Sequence, residues 1–101
     1  MKRTIRLRGM NGSIKGQTWE SSELLRIGRL DPLEIVLEDS SVSRYHAEIH
    51  PVDGIEGRYE IADLGSTNGT RINGIPVTAP QALRNGDQIT LGATTIRFDQ
   101  G

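Results

Sequence analysis

A single all-β domain, of the sandwich or barrel type, is the fold this sequence predicts, and three observations carry the prediction. Short runs alternate apolar and polar residues with a period of two. Turn signals punctuate those runs: Asn-Gly occurs at 11–12, 68–69, 73–74 and 85–86, and Asp53-Gly54 is a further signal of the same kind. No longer window carries the 3.6-residue apolar period of an amphipathic helix. Many short strands separated by such signals build sandwiches or barrels.

Taken in order, "TIRLR" places Ile5 and Leu7 on one face and Arg6 and Arg8 on the other. "LLRIGR" repeats the pattern with Leu25 and Ile27, and "EIVL" is a short continuous apolar run. "HAEIH" points Ala47 and Ile49 inward and leaves His46, Glu48 and His50 on the opposite face. "RYEIAD" offers Tyr59 and Ile61, "DQITL" offers Ile89 and Leu91, and "TTIRFD" offers Ile96 and Phe98. The segment "TRI", between Asn68-Gly69 and Asn73-Gly74, is too short for a helix and long enough only for a minimal strand. Trp19, the single Trp, fits a core or edge position. Each Asn-Gly pair tolerates positive φ and favours a tight hairpin. No linker, repeat or low-complexity segment interrupts the series, so one domain is expected over residues 1–101.

Composition narrows the function classes. A chain of 101 residues buries a moderate core. Hydrophobic content of 35% and charged content of 25% suit a globular protein in water. No apolar run approaches the ~20 residues of a membrane helix, and "MKRTIRLRGMNG" lacks the apolar segment of a signal peptide. The expected location is therefore the cytoplasm. Cys is absent, which excludes disulfides and thiolate metal sites. A net charge of −1 argues against a general grip on nucleic acid, which needs a basic excess. Yet 10 of the 12 basic residues are Arg, whose planar fork matches carboxylate and phosphate.

Three segments carry candidate chemistry. "IGR", residues 27–29, closes a strand; Gly28 removes a side chain beside Arg29 and so permits close backbone approach. "DSSVSRYHAEI", residues 39–49, sets Ser hydroxyls beside Arg44, which is an oxyanion-binding palette of neutral donors and a forked cation. "LGSTNGTRING", residues 64–74, displays Ser66 and Thr67 just ahead of Asn68-Gly69. Loops of this kind carry function because strands hold them rigid. Each segment alone is also consistent with something plainer: a solvated Arg at a strand end, a polar loop, a simple hairpin.

In this order and at these distances, "GR", "SVSRYHAEI" and "DLGSTNGTRING" together resemble the forkhead-associated (FHA) domain, in the form common among bacterial members. The resemblance covers the chain from its first strand to "TIRFD". It implies an eleven-stranded, antiparallel-rich β-sandwich whose loops at one end bind phosphothreonine in an extended peptide of a partner protein, the product of a Ser/Thr kinase. FHA domains belong to the modules that recognise phosphorylated motifs through Arg clusters. By the same resemblance Arg29, Ser43, Arg44 and Thr67 meet the phosphate, the last through its hydroxyl or its amide. Asn68 hydrogen-bonds the main chain of the bound peptide. Gly28, His46 and Gly69 hold the architecture of the site, and Asn73 and Gly74 form a structural turn. Ser41 stands where some members use a charged residue to select the side chain three places after the phosphothreonine.

The physical chemistry is coherent with that implication. A phosphothreonine brings about −1.5 to −2 charges and three acceptor oxygens. Forked cations and neutral hydroxyls complement it, each charge-assisted bond contributing ~1.5–3 kcal/mol. A shallow, loop-built site keeps much of the charge solvated, so affinity near micromolar, roughly −8 kcal/mol, is expected. No cofactor and no metal are expected. Three rival constellations are weaker. Ser43 and His46 lack the glycine frame of a nucleophile elbow, so an enzyme is not expected. His46, Glu48, His50 and Asp53 form at most a loose zinc palette. The glycines of 64–74 are not followed by the Lys-Ser/Thr of a phosphate-binding loop. The alternative that stays open is an interaction module using the same loops on an unphosphorylated surface.

Overall fold

The computed structural model describes residues 4–100 and is an all-β sandwich. Its strands are β1 (Ile5–Gly9), β2 (Thr18–Ser21), β3 (Leu25–Gly28), β4 (Ile35–Val36), β5 (Ala47–Pro51) and β6 (Tyr59–Asp63). They continue as β7 (Thr70–Ile72), β8 (Ile75–Pro76), β9 (Gln81–Ala82), β10 (Gln88–Leu91) and β11 (Thr94–Gln100). A 3-10 turn, Gly12–Ile14, is inserted between β1 and β2. One sheet has six strands in the order β2-β1-β11-β10-β7-β8, and the other has five in the order β4-β3-β5-β6-β9. All pairings are antiparallel except β3 with β4, where Ile27 pairs with Ile35 and Gly28 with Val36. The expected antiparallel-rich, eleven-stranded sandwich is the one observed.

The two-residue period explains how the sheets close on each other. In β1, Ile5 and Leu7 are buried while Arg6 and Arg8 stay in solvent. Ile96 and Phe98 of β11 and Ile89 and Leu91 of β10 extend that buried face. The opposing sheet contributes Leu25 and Ile27 of β3, Ala47 and Ile49 of β5, and Tyr59 and Ile61 of β6. Tyr59 and Phe98 meet across the interior with ring centroids 6.4 Å apart. Each large apolar side chain buried in this way contributes about 1.5–3 kcal/mol relative to exposure. Trp19 sits half-buried on β2, at the edge of the six-stranded sheet.

Two expectations need correction. Of the four Asn-Gly pairs, only Asn73-Gly74 closes a two-residue hairpin, with φ of 51° and 83° and Ile72 paired to Ile75 across it; both central residues at positive φ is the type I′ pattern. Asn11 is extended, at φ −148°, and leads into the 3-10 turn. Asn68-Gly69 ends a loop that carries the chain from β6 in one sheet to β7 in the other. The dipeptide signals a reversal but does not say which strands the reversal joins. The second correction concerns His46, which does not share an outer face with Glu48 and His50. It precedes β5, is fully buried, and turns its ring under the loops instead. His50 remains on the outer face, 3.7 Å from Glu60.

Candidate functional site

Loops 29–34, 37–46 and 64–69 and the β10–β11 turn meet at one end of the sandwich. Arg29 N–H donates to Ser43 O at 3.0 Å, and Asn68 Nδ2 donates to Ser41 O at 2.8 Å. Ala93 N–H, in the β10–β11 turn, donates to Ser41 Oγ at 2.8 Å. Gly28 makes the first of these junctions possible. A Cβ at that position would lie 2.1 Å from Arg44 O and 2.9 Å from Leu33 Cδ1. Backbone cannot yield to such a clash, so glycine is required for β3 to lie against the chain at Arg44.

Arg29 follows immediately. Its Nε donates to Val42 O at 2.9 Å, which aims the guanidinium without using the terminal nitrogens. The loop that leaves Arg29 is held at its far end by Glu34, whose carboxylate accepts from Arg26 N–H at 2.8 Å, Nε at 3.1 Å and Nη2 at 3.1 Å. Those hydrogen bonds from Arg26 bring the Glu34 carboxyl down to about 2.

Ser43 and His46 are locked together, but not as a nucleophile and its base. Ser43 N–H donates to His46 Nδ1 at 3.0 Å. Nδ1 must therefore carry a lone pair, which places the proton on Nε2, and Nε2–H donates to Gly69 O at 2.8 Å. One neutral, buried ring thus ties the 37–46 loop to the 64–69 loop. Ser43 Oγ accepts from Thr67 N–H at 3.0 Å, so the hydroxyl proton of Ser43 is directed away from that contact. The Thr67 amide is committed to Ser43; what Thr67 offers outward is its own hydroxyl.

Asp63 organises the 64–69 loop, a role the sequence reasoning missed. Its carboxylate accepts from Gly65 N–H and Ser66 N–H at 2.9 Å each, from Ser66 Oγ at 2.6 Å and from Thr70 Oγ1 at 2.7 Å. Gly69 N–H returns to Ser66 Oγ at 2.9 Å. Ser66, which the sequence sets just ahead of Asn68-Gly69, is therefore tied inward. Burial works against the charge on Asp63, but these donors outweigh it and hold its carboxyl below the usual range. The missed signal was local: Asp followed by Gly or Ser two or three residues on is an Asx-turn signature.

These constraints leave a shallow depression of about 380 Å³ lined by Arg29, Ser43, Arg44, Tyr45, Leu64 and Thr67. Both cations and both hydroxyls proposed from sequence are brought together there, with no acid in the lining. Tyr45 and Leu64, which sequence reasoning did not single out, add two large exposed apolar side chains. Asn68 stands beside the depression rather than in it. Asn73 and Gly74 are not brought to the site. They lie at the far end of β7, where Asn73 Nδ2 donates to Asp87 Oδ1 and Asn73 Oδ1 accepts from Gln88 N–H, both at 3.0 Å. Among the described residues no group of three or more His, Cys, Asp or Glu is placed to hold a metal ion, and no helix is long and apolar enough to cross a membrane.

Comparison with known proteins gives a consistent answer. The sequence model of the FHA domain matches residues 25–92. The oxoglutarate dehydrogenase inhibitor of Corynebacterium glutamicum is 40% identical over 74 residues, covering 73% of this chain and 49% of that protein. The chain thus spans about half the length of such curated relatives. The domain solved in a structural and functional study of phosphothreonine-dependent FHA domain interactions superposes with a TM-score of 0.84 at 37% identity, covering 97% of each chain. The FhaA FHA domain, solved in complex with the intracellular domain of Rv3910, superposes with a TM-score of 0.81 at 39% identity, covering 93% of this chain and 98% of that one. From its two-sheet topology, its sequence and its structural kin, the chain belongs to the FHA domain family.

Proposed function

We propose that this chain is a phosphopeptide-binding module that takes phosphothreonine in an extended segment of a partner protein and so assembles signalling complexes on phosphorylation. One observation carries the proposal: two guanidiniums and two hydroxyls, from three separate loops, line one acid-free depression. In it, Arg29 and Arg44 supply charge and forked donors to the dianion, and Ser43 and Thr67 supply neutral O–H donors. Asn68 engages the peptide main chain. Gly28, His46 and Gly69 fix the loop junctions that set these distances. The 101 residues act as one binding domain, not as an enzyme, and the partner is a cytoplasmic substrate of a Ser/Thr kinase. His46 bonds the Ser43 amide and not its hydroxyl, which supports a structural rather than a catalytic pairing.

A second reading has one observation in its favour. Tyr45, 54% exposed, and Leu64, 39% exposed, give the same depression an apolar rim suited to an unmodified protein surface. Matched peptides carrying phosphothreonine, phosphoserine and threonine separate the two. Phosphothreonine is expected to bind near micromolar, and phosphoserine more weakly for want of a methyl group worth ~1–3 kcal/mol in a pocket. Plain threonine is expected not to bind measurably. Equal affinity for the phosphorylated and plain peptides would establish the second reading and end the first. Below the phosphate pKa of about 6, protonation removes charge from the ligand and affinity is expected to fall.

A further inference from the structure

The group that would hold the peptide main chain is itself held by a network that runs to the opposite sheet. Asn68 Nδ2 donates to Ser41 O at 2.8 Å. A carbonyl only accepts, so this contact fixes which end of the side-chain amide faces the protein. The other N–H and Oδ1 of Asn68 have no protein partner among the described residues. Ser41 is in turn clasped. Its N–H donates to Asp39 Oδ1 at 2.9 Å, its hydroxyl donates to the same oxygen at 2.8 Å, and its Oγ accepts from Ala93 N–H at 2.8 Å. Asp39 Oδ2 accepts from Thr94 Oγ1 at 2.9 Å. Gly92 completes the fit, because a Cβ there would lie 2.4 Å from Ser41 O. The hydroxyl proton of Ser41 is thus committed inside the protein, which removes Ser41 as a reader of ligand side chains.

We propose that Asp39 and Ser41 are positioning residues for main-chain recognition. They fix the Ser41 carbonyl, which fixes the plane of the Asn68 amide. Asn68 then presents one donor and one acceptor, side by side, to a peptide group of an extended ligand. An amide free to rotate would lose that freedom on binding and bind less well. The inference rests on the reading given under Proposed function, and it assigns the phosphate and the main chain to separately constructed parts of the site.

Two probes divide those parts: a phosphothreonine peptide that the native chain binds, and O-phosphothreonine alone, which has no flanking peptide groups. Ser41→Ala and Asp39→Ala are each expected to weaken the peptide by about three- to tenfold, the equivalent of one hydrogen bond. O-phosphothreonine should bind them as it binds the native chain. Adding Ser41→Ala to Asn68→Ala should weaken the peptide no further, because both act through one amide. Thr94→Val, which removes only the third contact of Asp39, should show a smaller loss in the same direction, and it decides the matter if the other variants do not fold. Native affinity for the peptide in Ser41→Ala and Asp39→Ala would overturn the proposal. So would an equal loss for both probes, or additivity with Asn68→Ala. A native chain that bound no phosphothreonine peptide would defeat the functional reading itself, and this inference with it.

Discussion

The two ends of β7 carry the same dipeptide and do different things with it. At one end Asn73 and Gly74 make a two-residue hairpin; both side-chain polar atoms of Asn73 are used inside the protein, on Asp87 and Gln88. At the other end Asn68 and Gly69 finish a loop that changes sheets, and Asn68 keeps an acceptor and one N–H facing outward. Gly69 O is held by His46, and Thr67 N–H by Ser43. Under the proposed function, the contrast is that a turn signal serves binding where tertiary partners satisfy the backbone and leave part of a side-chain amide open.

The largest expected effect belongs to the site end. Arg29→Ala should cost phosphopeptide binding roughly 2–4 kcal/mol, about 30- to 1000-fold, because a partly buried phosphate loses a forked cation. Calorimetric titration measures it, and the melting temperature should change little. Next comes the frame. Gly28→Ala drives a Cβ toward Arg44 O and should lower stability by about 1–3 kcal/mol, seen as a lower thermal midpoint.

The matched pair Asn68→Ala and Asn73→Ala sharpens the comparison further. Asn68→Ala should weaken peptide binding by about tenfold and lower the midpoint less than Asn73→Ala does, because it loses one intramolecular hydrogen bond rather than two. Asn73→Ala should cost about 1 kcal/mol of stability through lost turn preference and lost bonds, at unchanged affinity. If each variant altered both properties equally, the division between the two ends would fail.

The smallest effect is on pH. The folded Asp63 carboxyl lies below its unfolded value, since its Ser66, Thr70 and Gly65 donors outweigh burial. Its contribution is therefore complete above the unfolded value, about pH 4, and is lost as pH falls through the folded one. Asp39 behaves alike, lowered by Ser41 and then Thr94. Asp63→Asn should flatten the fall of the thermal midpoint below about pH 4, relative to the native chain.

The inner faces of β1, β3, β6, β10 and β11 were legible because burial on one face writes a period of two into four or more residues. β2, β8 and β9 were not. They are edge strands of two to four residues, and β8 ends in Pro76, so neither burial nor propensity marks them. His46 broke the alternation because loop-to-loop hydrogen bonding, not the pleat, decides where its ring points. Arg29, Ser43, Arg44 and Thr67 were reachable through motif order. Tyr45 and Leu64 were not, since apolar residues beside strands read as core until their exposure is seen. Asp39 and Asp63 were visible only as Asx-turn signals, whose partners depend on the fold.

Backbone amide shifts during titration with a phosphothreonine peptide test the central claim most directly, with the plain threonine peptide as control. The largest changes are predicted at residues 29–30, 43–44 and 67–69, while residues 73–74 and 84–87 stay in place and the control moves none of them. Shifts centred on the Asn73-Gly74 turn, or the same shifts from the control, would contradict the account.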